Sequence, residues 1–320
     1  MKHLPPVEQK VWAIRPETLR LLQLHMRGEG AGQVTQVEPA PQAAAGPSIE
    51  GQSVALLHLR GVITPFPTFR LFGEDSDGLI GFRRNLREAA ANPDIGTILI
   101  NIDSPGGSID LVPETAADVR AAREQKPVIA VANTMAGSAA YWIASQATEL
   151  VVTPSGDVGS IGVFVLHEEF SAMDKRMGIE TTLIKAGRHK AEGNPYQPLT
   201  EEARQHFQEL VDFTYDEFVA DVAVGRGVST AKVLADFGEG RMVRAEQAVA
   251  AGMADRAEPI EEVLAGLLKR RDGRGTNAAV QPAPAAEEIS QHQISEGEND
   301  GLAQIVRQLD ETTTSLKEDK

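Results

Sequence analysis

Two residues of this sequence, Ser138 and Lys190, are of types that together can perform nucleophilic catalysis without a metal or a cysteine. Ser138 lies in the small-residue run TMAGSAAYW, where the pattern predicts a change from strand to helix. Such a turn presents a hydroxyl with little steric hindrance, as in a nucleophile elbow, although the GxSxG motif is absent. A serine becomes nucleophilic when a base takes its proton, and a lysine is a base only when burial lowers its pKa from about 10.4. Taken singly, a helix-capping serine and a solvated lysine are the ordinary interpretations.

Backbone N–H groups that could stabilise a developing negative charge are found in the segment NIDSPGGS. Gly106 and Gly107 follow the apolar run 97–102, which is predicted to be a strand buried on both faces. Glycines at this place permit a positive φ and a close approach of another molecule. Exposed N–H groups there would suit an oxyanion. For this motif alone, an ordinary turn is the alternative interpretation.

Composition excludes several classes of site. The chain has 320 residues, with 31 Lys+Arg and 46 Asp+Glu, and its formal net charge of -15 argues against a nucleic-acid-binding protein. Cysteine is absent, so disulfides, thiolate catalysis and cysteine-bound metals are excluded. The histidines form no HExxH motif or other close ligand pair. Neither a metal nor a cofactor is therefore predicted.

The sequence also predicts where the protein is located. Its amino-terminal residues lack the apolar core that a signal peptide requires. No stretch approaches the roughly 18 apolar residues of a membrane span. We therefore expect a soluble, cytoplasmic protein without a membrane span.

Changes in composition divide the chain into four parts. These are a helical segment at 1–27, a linker rich in Gly, Ala, Pro and Gln at 28–51, a globular domain at 52–271, and a mostly disordered tail at 272–320. Within the tail, apolar residues that share one helical face predict a helix at 301–316, which would need a partner for stability.

Strands and helices alternate through the globular domain, a pattern typical of βαβ units and a mainly parallel sheet. The predicted strands are Val54–Ile63, Thr97–Ile102, Val128–Ala132, Leu150–Thr153, Ile161–Val165 and Thr181–Lys185. The predicted helices are Phe82–Ala91, Leu111–Gln125, Ser138–Ala147, 168–177 and 201–224. The fold class predicted from this order is α/β.

The ordered set of motifs resembles the signal peptide peptidase A family of the Clp/crotonase superfamily. The set comprises SPGG, the run around Ser138, GSIGV at 159–163 and GRHKAEGNP around Lys190, followed by GRMV, AEQA and GMAD near the end of the domain. The resemblance covers roughly residues 52–268. It implies a Clp/crotonase-like fold of repeated ββα units.

The resemblance also implies a role for each matched residue. The nucleophile falls on Ser138, the general base on Lys190, the residue that orients this lysine on Ser160, and the oxyanion donors on the backbone N–H groups of Gly107 and Ala139. These roles are those of a serine endopeptidase that acts on polypeptides through an acyl-enzyme.

One departure from the family pattern bears on specificity. Ala139 and Ala140 stand where the family commonly has glycines. Their methyl groups would narrow the neighbouring pocket while leaving the backbone donors in place. We therefore expect cleavage after small or apolar residues.

Three alternatives remain open. A Ser-His-Asp peptidase of the Clp kind would use His167, 29 residues after the serine, while His189 lies beside Lys190. A crotonase-like acyl-CoA enzyme would need carboxylates in place of the serine motif, and none is evident. A non-catalytic assembly or scaffolding protein could retain the same fold.

Within the family, three features resemble those of phage or prophage capsid-assembly (head-maturation) proteases. No signal or anchor is predicted, AAYW follows the serine, and WAIRPETL precedes the domain. This similarity implies processing of capsid or scaffold proteins in the host cytoplasm or procapsid, with the tail at 272–320 as a contact to them. A homo-oligomeric ring is also implied, and whether one site draws on two subunits stays open. A soluble bacterial enzyme that degrades short peptides is the alternative.

Overall fold

The strands and helices of this protein are known for residues 11–14, 18, 53–66 and 78–271, which are the residues that the computed structural model describes. The strands are β1 Val11–Ile14, β2 Ser53–Arg60, β3 Ile95–Ser104, β4 Gly106–Ser108, β5 Val128–Gly137, β6 Glu149–Val152, β7 Asp157–Gly159, β8 Phe164–Val165, β9 Met242–Arg244 and β10 Arg256–Ala257. The helices are α1 Gly78–Ala91, α2 Val112–Arg123, α3 Ala139–Ala144, α4 Ser171–Arg176, α5 Glu201–Arg226, α6 Thr230–Asp236, α7 Ala245–Ala251 and α8 Ile260–Arg271. Two predicted parts of the chain lie outside the described residues. They are the linker at 28–51 and the tail at 272–320 with its helix at 301–316.

A mainly parallel sheet forms the centre of the domain, in the strand order β10-β6-β5-β3-β2. All four pairings along this path are parallel, as the predicted βαβ units require. The far end of β5 pairs with β7, which pairs with β9 in antiparallel fashion. The predicted α/β class with a mainly parallel sheet is confirmed, and β3, β4 and α2 form one strand-strand-helix unit in sequence.

The two faces of the sheet are covered by different helices. Side chains of β3 alternate between them, so Ile98 and Ile100 pack with α1, α2, α3 and α5, whereas Leu99 lies in a second cluster on the opposite face. That second cluster includes Ile260 and Val263 of α8. Burial on both faces explains why the strands are continuously apolar.

A second sheet contains three short strands in the order β4-β1-β8. The strand β1 lies in its centre and is antiparallel to both neighbours. Its four residues are all buried. The sequence analysis predicted only a helix in the segment 1–27 and missed this strand.

Helix α5 begins where it was predicted to begin, and it ends at Arg226 instead of the predicted residue 224. The Thr200 hydroxyl accepts a hydrogen bond from the Ala203 N–H at 3.2 Å, and Gly227 ends the helix in the left-handed conformation. Only the second half of the helix packs fully, because Phe218 is completely buried while Phe213 is 70% exposed. The first half extends away from the domain core.

One predicted strand, Thr181–Lys185, is wrong. These residues are exposed and form no strand in the described chain. Their β-branched and apolar side chains favour a strand, but a strand needs a pairing edge, which the sequence of one segment does not reveal. The strand predicted at Ile161–Val165 is shortened to β8, and the preceding strand β7 was missed. None of the helices in the described ranges is both long and apolar enough to cross a membrane.

Candidate active site

Ser138 occupies the sharp turn that joins β5 to α3, as the small-residue run predicted. Its backbone has φ 53 and ψ -117, a conformation that residues with a Cβ rarely adopt. The residue is fully buried, and its N–H donates to the Gly159 carbonyl oxygen at 2.7 Å. A strained strand-to-helix turn is the geometry of a nucleophile elbow. The structure therefore gives the serine that geometry without the GxSxG motif.

Packing of α3 holds this strained turn in place. All six residues of the helix are buried. The Trp142 ring stacks on Phe218 of α5, with centroids 4.4 Å apart, and its ring N–H donates to Asp221 at 2.8 Å. The Trp142 backbone N–H donates to the Ser138 carbonyl oxygen at 2.9 Å. The nucleophile candidate is thus fixed to a helix that cannot move without disturbing the core.

The glycine pair predicted to supply an oxyanion donor lies next to Ser138. The strands β3 and β5 are paired up to Ser104 and Ala136, so the turns that follow them are adjacent. A Cβ placed on Gly106 would be 3.0 Å from Ser138 Cβ and would overlap the Ala13 carbonyl oxygen. Gly106 also has φ +99. This is a position where glycine is required both for backbone conformation and for close approach.

The Gly107 N–H faces strand β1. The Ile63 N–H donates to the Gly106 carbonyl oxygen, and the Ser108 N–H donates to the Ile63 carbonyl oxygen, both at 2.9 Å. Successive residues of a strand direct their backbone groups to opposite edges. Ala13 is the antiparallel partner of Gly107 on that other edge. The Gly107 N–H is therefore directed at the Ala13 carbonyl oxygen.

Ser160 lies beside the serine turn, one residue after the end of β7. Gly159 is the parallel partner of Gly137, which immediately precedes Ser138. Ser160 is buried, has φ 55, and donates its N–H to the Arg241 carbonyl oxygen at 2.8 Å. The structure therefore brings the predicted Ser160 to the predicted nucleophile.

Lys190 is not brought to Ser138 within the described chain. It lies exposed in a turn, where its N–H donates to the Gly187 carbonyl oxygen at 3.3 Å. The Ser138 hydroxyl donates to the Gly162 carbonyl oxygen at 3.3 Å. Lys185, the competing lysine, is also exposed, and its ammonium group donates to the Arg188 carbonyl oxygen at 3.0 Å. The structure thus leaves the choice of base as a prediction.

The histidine alternatives likewise lie away from the hydroxyl. The His167 Nε2 is 3.5 Å from the Asn194 carbonyl oxygen. His189 pairs with Glu192, and these two residues bring their ligand atoms within 4.8 Å of those of Glu202. A divalent cation could be bound by such a set. Glu202 is, however, already paired with Arg188 at 2.7 Å.

The two alanines that replace family glycines belong to the core. Ala139 and Ala140 are fully buried, and both lie in the main hydrophobic cluster. The Ala139 N–H begins α3, next to the serine turn. The predicted effect of these methyl groups on substrate choice is untested by the structure.

A buried polar group that the sequence analysis missed secures the end of the domain to α3. The Tyr141 hydroxyl donates to the Met253 carbonyl oxygen at 3.0 Å. Burial raises the pKa of this phenol, so it stays protonated and remains a donor. Nearby, Arg226 is bidentate to Asp255, which also accepts the Leu150 N–H at 2.7 Å. In the sequence, the only signal for these contacts was the motif GMAD, which is part of the family pattern.

Comparisons with known proteins agree with this geometry. Residues 120–272 match the model of peptidase family S49. The matched residues include Ser138, Ser160 and Lys190. The match is to a peptidase family, which is the kind of family that the sequence motifs predicted.

Relatives of the chain include phage proteins. It is 34% identical to the capsid assembly protease C of Escherichia phage lambda, over 62% of this chain and 44% of the relative. It is 31% identical to the head-tail preconnector protein GP5 of Enterobacteria phage P21, over 74% of this chain and 46% of the relative. A putative signal peptide peptidase SppA of Enterococcus faecium is 27% identical, over 69% of this chain and 64% of that protein. The chain thus spans less than half the length of the two phage relatives.

Proposed function

We propose that this protein is a serine endopeptidase with Ser138 as nucleophile and Lys190 as general base. The observation that carries the proposal is the strained, buried turn at Ser138, which is held between Gly159 and the core helix α3. Strain of this kind persists only where the surrounding structure imposes it, and it is concentrated at functional sites. The match of residues 120–272 to peptidase family S49 supports the same assignment.

The proposed reaction has two steps. Neutral Lys190 takes the Ser138 proton, and the serine oxygen attacks the scissile carbonyl carbon. The negative oxygen of the tetrahedral intermediate accepts hydrogen bonds from the N–H groups of Gly107 and Ala139. The lysine returns the proton to the leaving amine, and water then hydrolyses the acyl-enzyme. Ser160 orients the lysine in this scheme.

Because Lys190 is exposed, a further partner is needed to exclude water from the proposed site. A lysine base needs a site from which water is excluded, whereas Lys190 is exposed in the single chain. The segment that carries Lys190 also exposes the apolar side chain of Ile184, which is 96% exposed. Phe213 of helix α5 is exposed as well. We propose that a second copy of the chain covers this surface in a homo-oligomeric ring. Lys190 of one subunit then acts at an active site within the ring. This site is either that of its own subunit or that of the neighbouring subunit.

The proposed substrates are capsid or scaffold proteins during phage head assembly. Two relatives named for capsid assembly and a head-tail preconnector support this class of substrate. The host cytoplasm or the procapsid is the corresponding location, with the tail at 272–320 as the contact to assembly proteins. A bacterial enzyme that degrades short peptides is the second candidate, supported by the signal-peptide-peptidase relative.

Two measurements test the proposed activity. A serine-reactive fluorophosphonate should label the wild-type protein and the Ser145→Ala variant, but not the Ser138→Ala variant. Ser145 is the matched control, because it is buried at the other end of the same helix. Mass spectrometry of self-cleavage products should give cuts that are absent from Ser138→Ala. A wild-type protein that is neither labelled nor cleaved would instead favour the non-catalytic assembly protein.

A further inference from the structure

Strand β1 fills a gap between two strands that border the serine turn. On one side it pairs with β4, the glycine strand beside Ser138, with Ala13 opposite Gly107 and Ile14 opposite Gly106. On the other side it pairs with β8, with Trp12 opposite Phe164. β8 directly follows the segment that supplies the Gly162 carbonyl oxygen to the Ser138 hydroxyl. The amino-terminal strand therefore runs along the candidate active site.

The position of one peptide group within this strand is specific. The register directs the Ala13 carbonyl oxygen at the Gly107 N–H, which is the group proposed to hold the oxyanion. The same carbonyl oxygen lies against Gly106, on the side of this glycine that also faces Ser138 Cβ. An extended substrate would need to place its scissile carbonyl oxygen against that donor. Ala13 thus lies where the residue before the cleaved bond would lie.

Side chains of β1 hold it in the gap. Trp12 and Ile14 form a small buried cluster with Val62, and Phe164 and Leu166 pack against it. This cluster is separate from the two that flank the main sheet. The strand is therefore retained by its own contacts rather than by those of the domain core.

We propose that residues 11–14 act as a built-in, substrate-like strand that occupies the peptide-binding cleft and must leave it before a substrate can bind. The inference rests on the proposed peptidase function. Extended peptides commonly bind by adding a strand to an exposed sheet edge, where backbone hydrogen bonds give affinity.

Occupation by an attached strand has a calculable effect. The apparent affinity for a substrate equals the intrinsic affinity multiplied by the fraction of molecules in which the cleft is empty. If the strand is bound nine-tenths of the time, freeing the cleft raises the apparent affinity about tenfold. The effect is on access to the cleft, so it should increase reaction rates at low substrate concentration.

Substitution of Ala13 tests the proposal. In Ala13→Pro, the ring removes the N–H that pairs with Gly107 and disrupts a central strand. Ala13→Gly is the matched control, because it keeps that N–H. We expect a peptidyl phosphonate to label Ser138 about tenfold faster in Ala13→Pro and within about twofold of wild type in the control. Addition of a synthetic peptide of residues 8–17, EQKVWAIRPE, should slow the labelling of Ala13→Pro again.

The opposite results would overturn the proposal. If β1 is only a structural strand, folded Ala13→Pro is labelled no faster than wild type, and the peptide has no effect on it. Circular dichroism and the melting temperature establish that the variant is folded. Failure of labelling in both proteins would contradict the peptidase assignment itself, and the cleft is then tested by a measurement that needs no catalysis.

Hydrogen exchange in the Ser138→Ala variant provides that measurement. The amides of residues 11–14 should exchange slowly in the protein alone, because they are buried and paired. Saturation with the peptide EQKVWAIRPE should make them exchange at least about tenfold faster, because the added peptide displaces the attached strand. Unchanged protection at saturation would show that β1 does not occupy an exchangeable peptide site.

Discussion

The Ser138 N–H donates to the Gly159 carbonyl oxygen across 2.7 Å, and this bond joins two turns of unusual backbone conformation. Ser138 has φ 53, and Ser160, which follows Gly159, has φ 55. Both are non-glycine residues with positive φ, so each contains strain of about 1–3 kcal/mol. The β5–β7 pairing between Gly137 and Gly159 holds both turns in position. The proposed nucleophile and its neighbouring serine are therefore oriented by the same short ladder.

Replacement of Ser138 should separate stability from activity. In Ser138→Gly, the residue adopts positive φ without a steric penalty, so the free energy of unfolding should rise by about 1 kcal/mol. Ser138→Ala keeps the strain and should leave the free energy of unfolding within about 1 kcal/mol of wild type. Both variants should lose detectable peptide hydrolysis. Chemical denaturation and a fluorogenic peptide assay measure the two effects.

A residual rate in Ser138→Gly close to wild type would exclude this serine as nucleophile. A lower stability of the glycine variant would show that the hydroxyl bond to Gly162, and not the backbone strain, dominates the energy of the turn.

Lysine substitutions test the base. Lys190→Ala should reduce the rate of hydrolysis about a thousandfold, because the hydroxyl loses its proton acceptor. Lys185→Ala is the matched control, since Lys185 is an exposed lysine on the same segment. Neither variant should lower the melting temperature by more than a degree or two, because both side chains are exposed.

His167→Ala is the further control and should remain active. An inactive His167→Ala together with an active Lys190→Ala would reverse the assignment in favour of a histidine base.

The exposed apolar surface should control assembly. Ile184→Glu places a charge on a side chain that is 96% exposed, so it should leave the fold intact. At an interface it should weaken each contact by about 2 kcal/mol or more and shift the protein toward smaller species. Leu234→Glu is the control, because Leu234 is an exposed leucine on α6. Light scattering gives the mass of the assembly. The rate of hydrolysis should fall as the proposed ring breaks into smaller species.

Mixing completes this prediction. Ser138→Ala and Lys190→Ala proteins, each inactive, should regain activity together if a site takes its serine and lysine from different subunits. A mixture that stays inactive while the rings exchange subunits would confine the dyad to one chain.

The glycine pair should be intolerant to a methyl group. In Gly107→Ala, the new Cβ would overlap backbone atoms of Ile63, which have no free space into which to move. We expect a loss of about 2–4 kcal/mol in the free energy of unfolding. In Gly266→Ala, nothing lies within 4 Å of the added atom, and the helix α8 should gain about 0.5–1 kcal/mol. Denaturation of both variants measures the difference, and equal effects would contradict the close packing at β4.

Periodicity in the sequence predicted the elements that are buried in the domain. The runs that became β3, β5 and β6 are apolar on both faces, and their order along the chain implies parallel crossovers. The start of α5 was also predicted, because the Thr200 hydroxyl favours the position that precedes a helix. These signals are local, and the structure follows them.

What the sequence did not reveal depends on contacts between distant segments. The strand β1 is stable because β4 and β8 accept its backbone groups, and no local pattern shows that. Thr181–Lys185 has the residue types of a strand but pairs with no strand in the described chain. Likewise, the motif order predicted that Ser138, Ser160 and Gly107 would be neighbours. Lys190, which the same motif order placed with them, is exposed in the described chain.

The strand between β4 and β8 also has a consequence for the empty state of the cleft. Once β1 departs, two strand edges with unpaired N–H and C=O groups face each other across the opening. Any extended backbone would restore those bonds. The first requirement for a substrate would therefore be the ability to adopt an extended conformation. Compact folded domains would be spared, and exposed terminal arms or linkers of a large assembly would be cut. The proposed peptidase would then act on chain segments that are not packed into a fold.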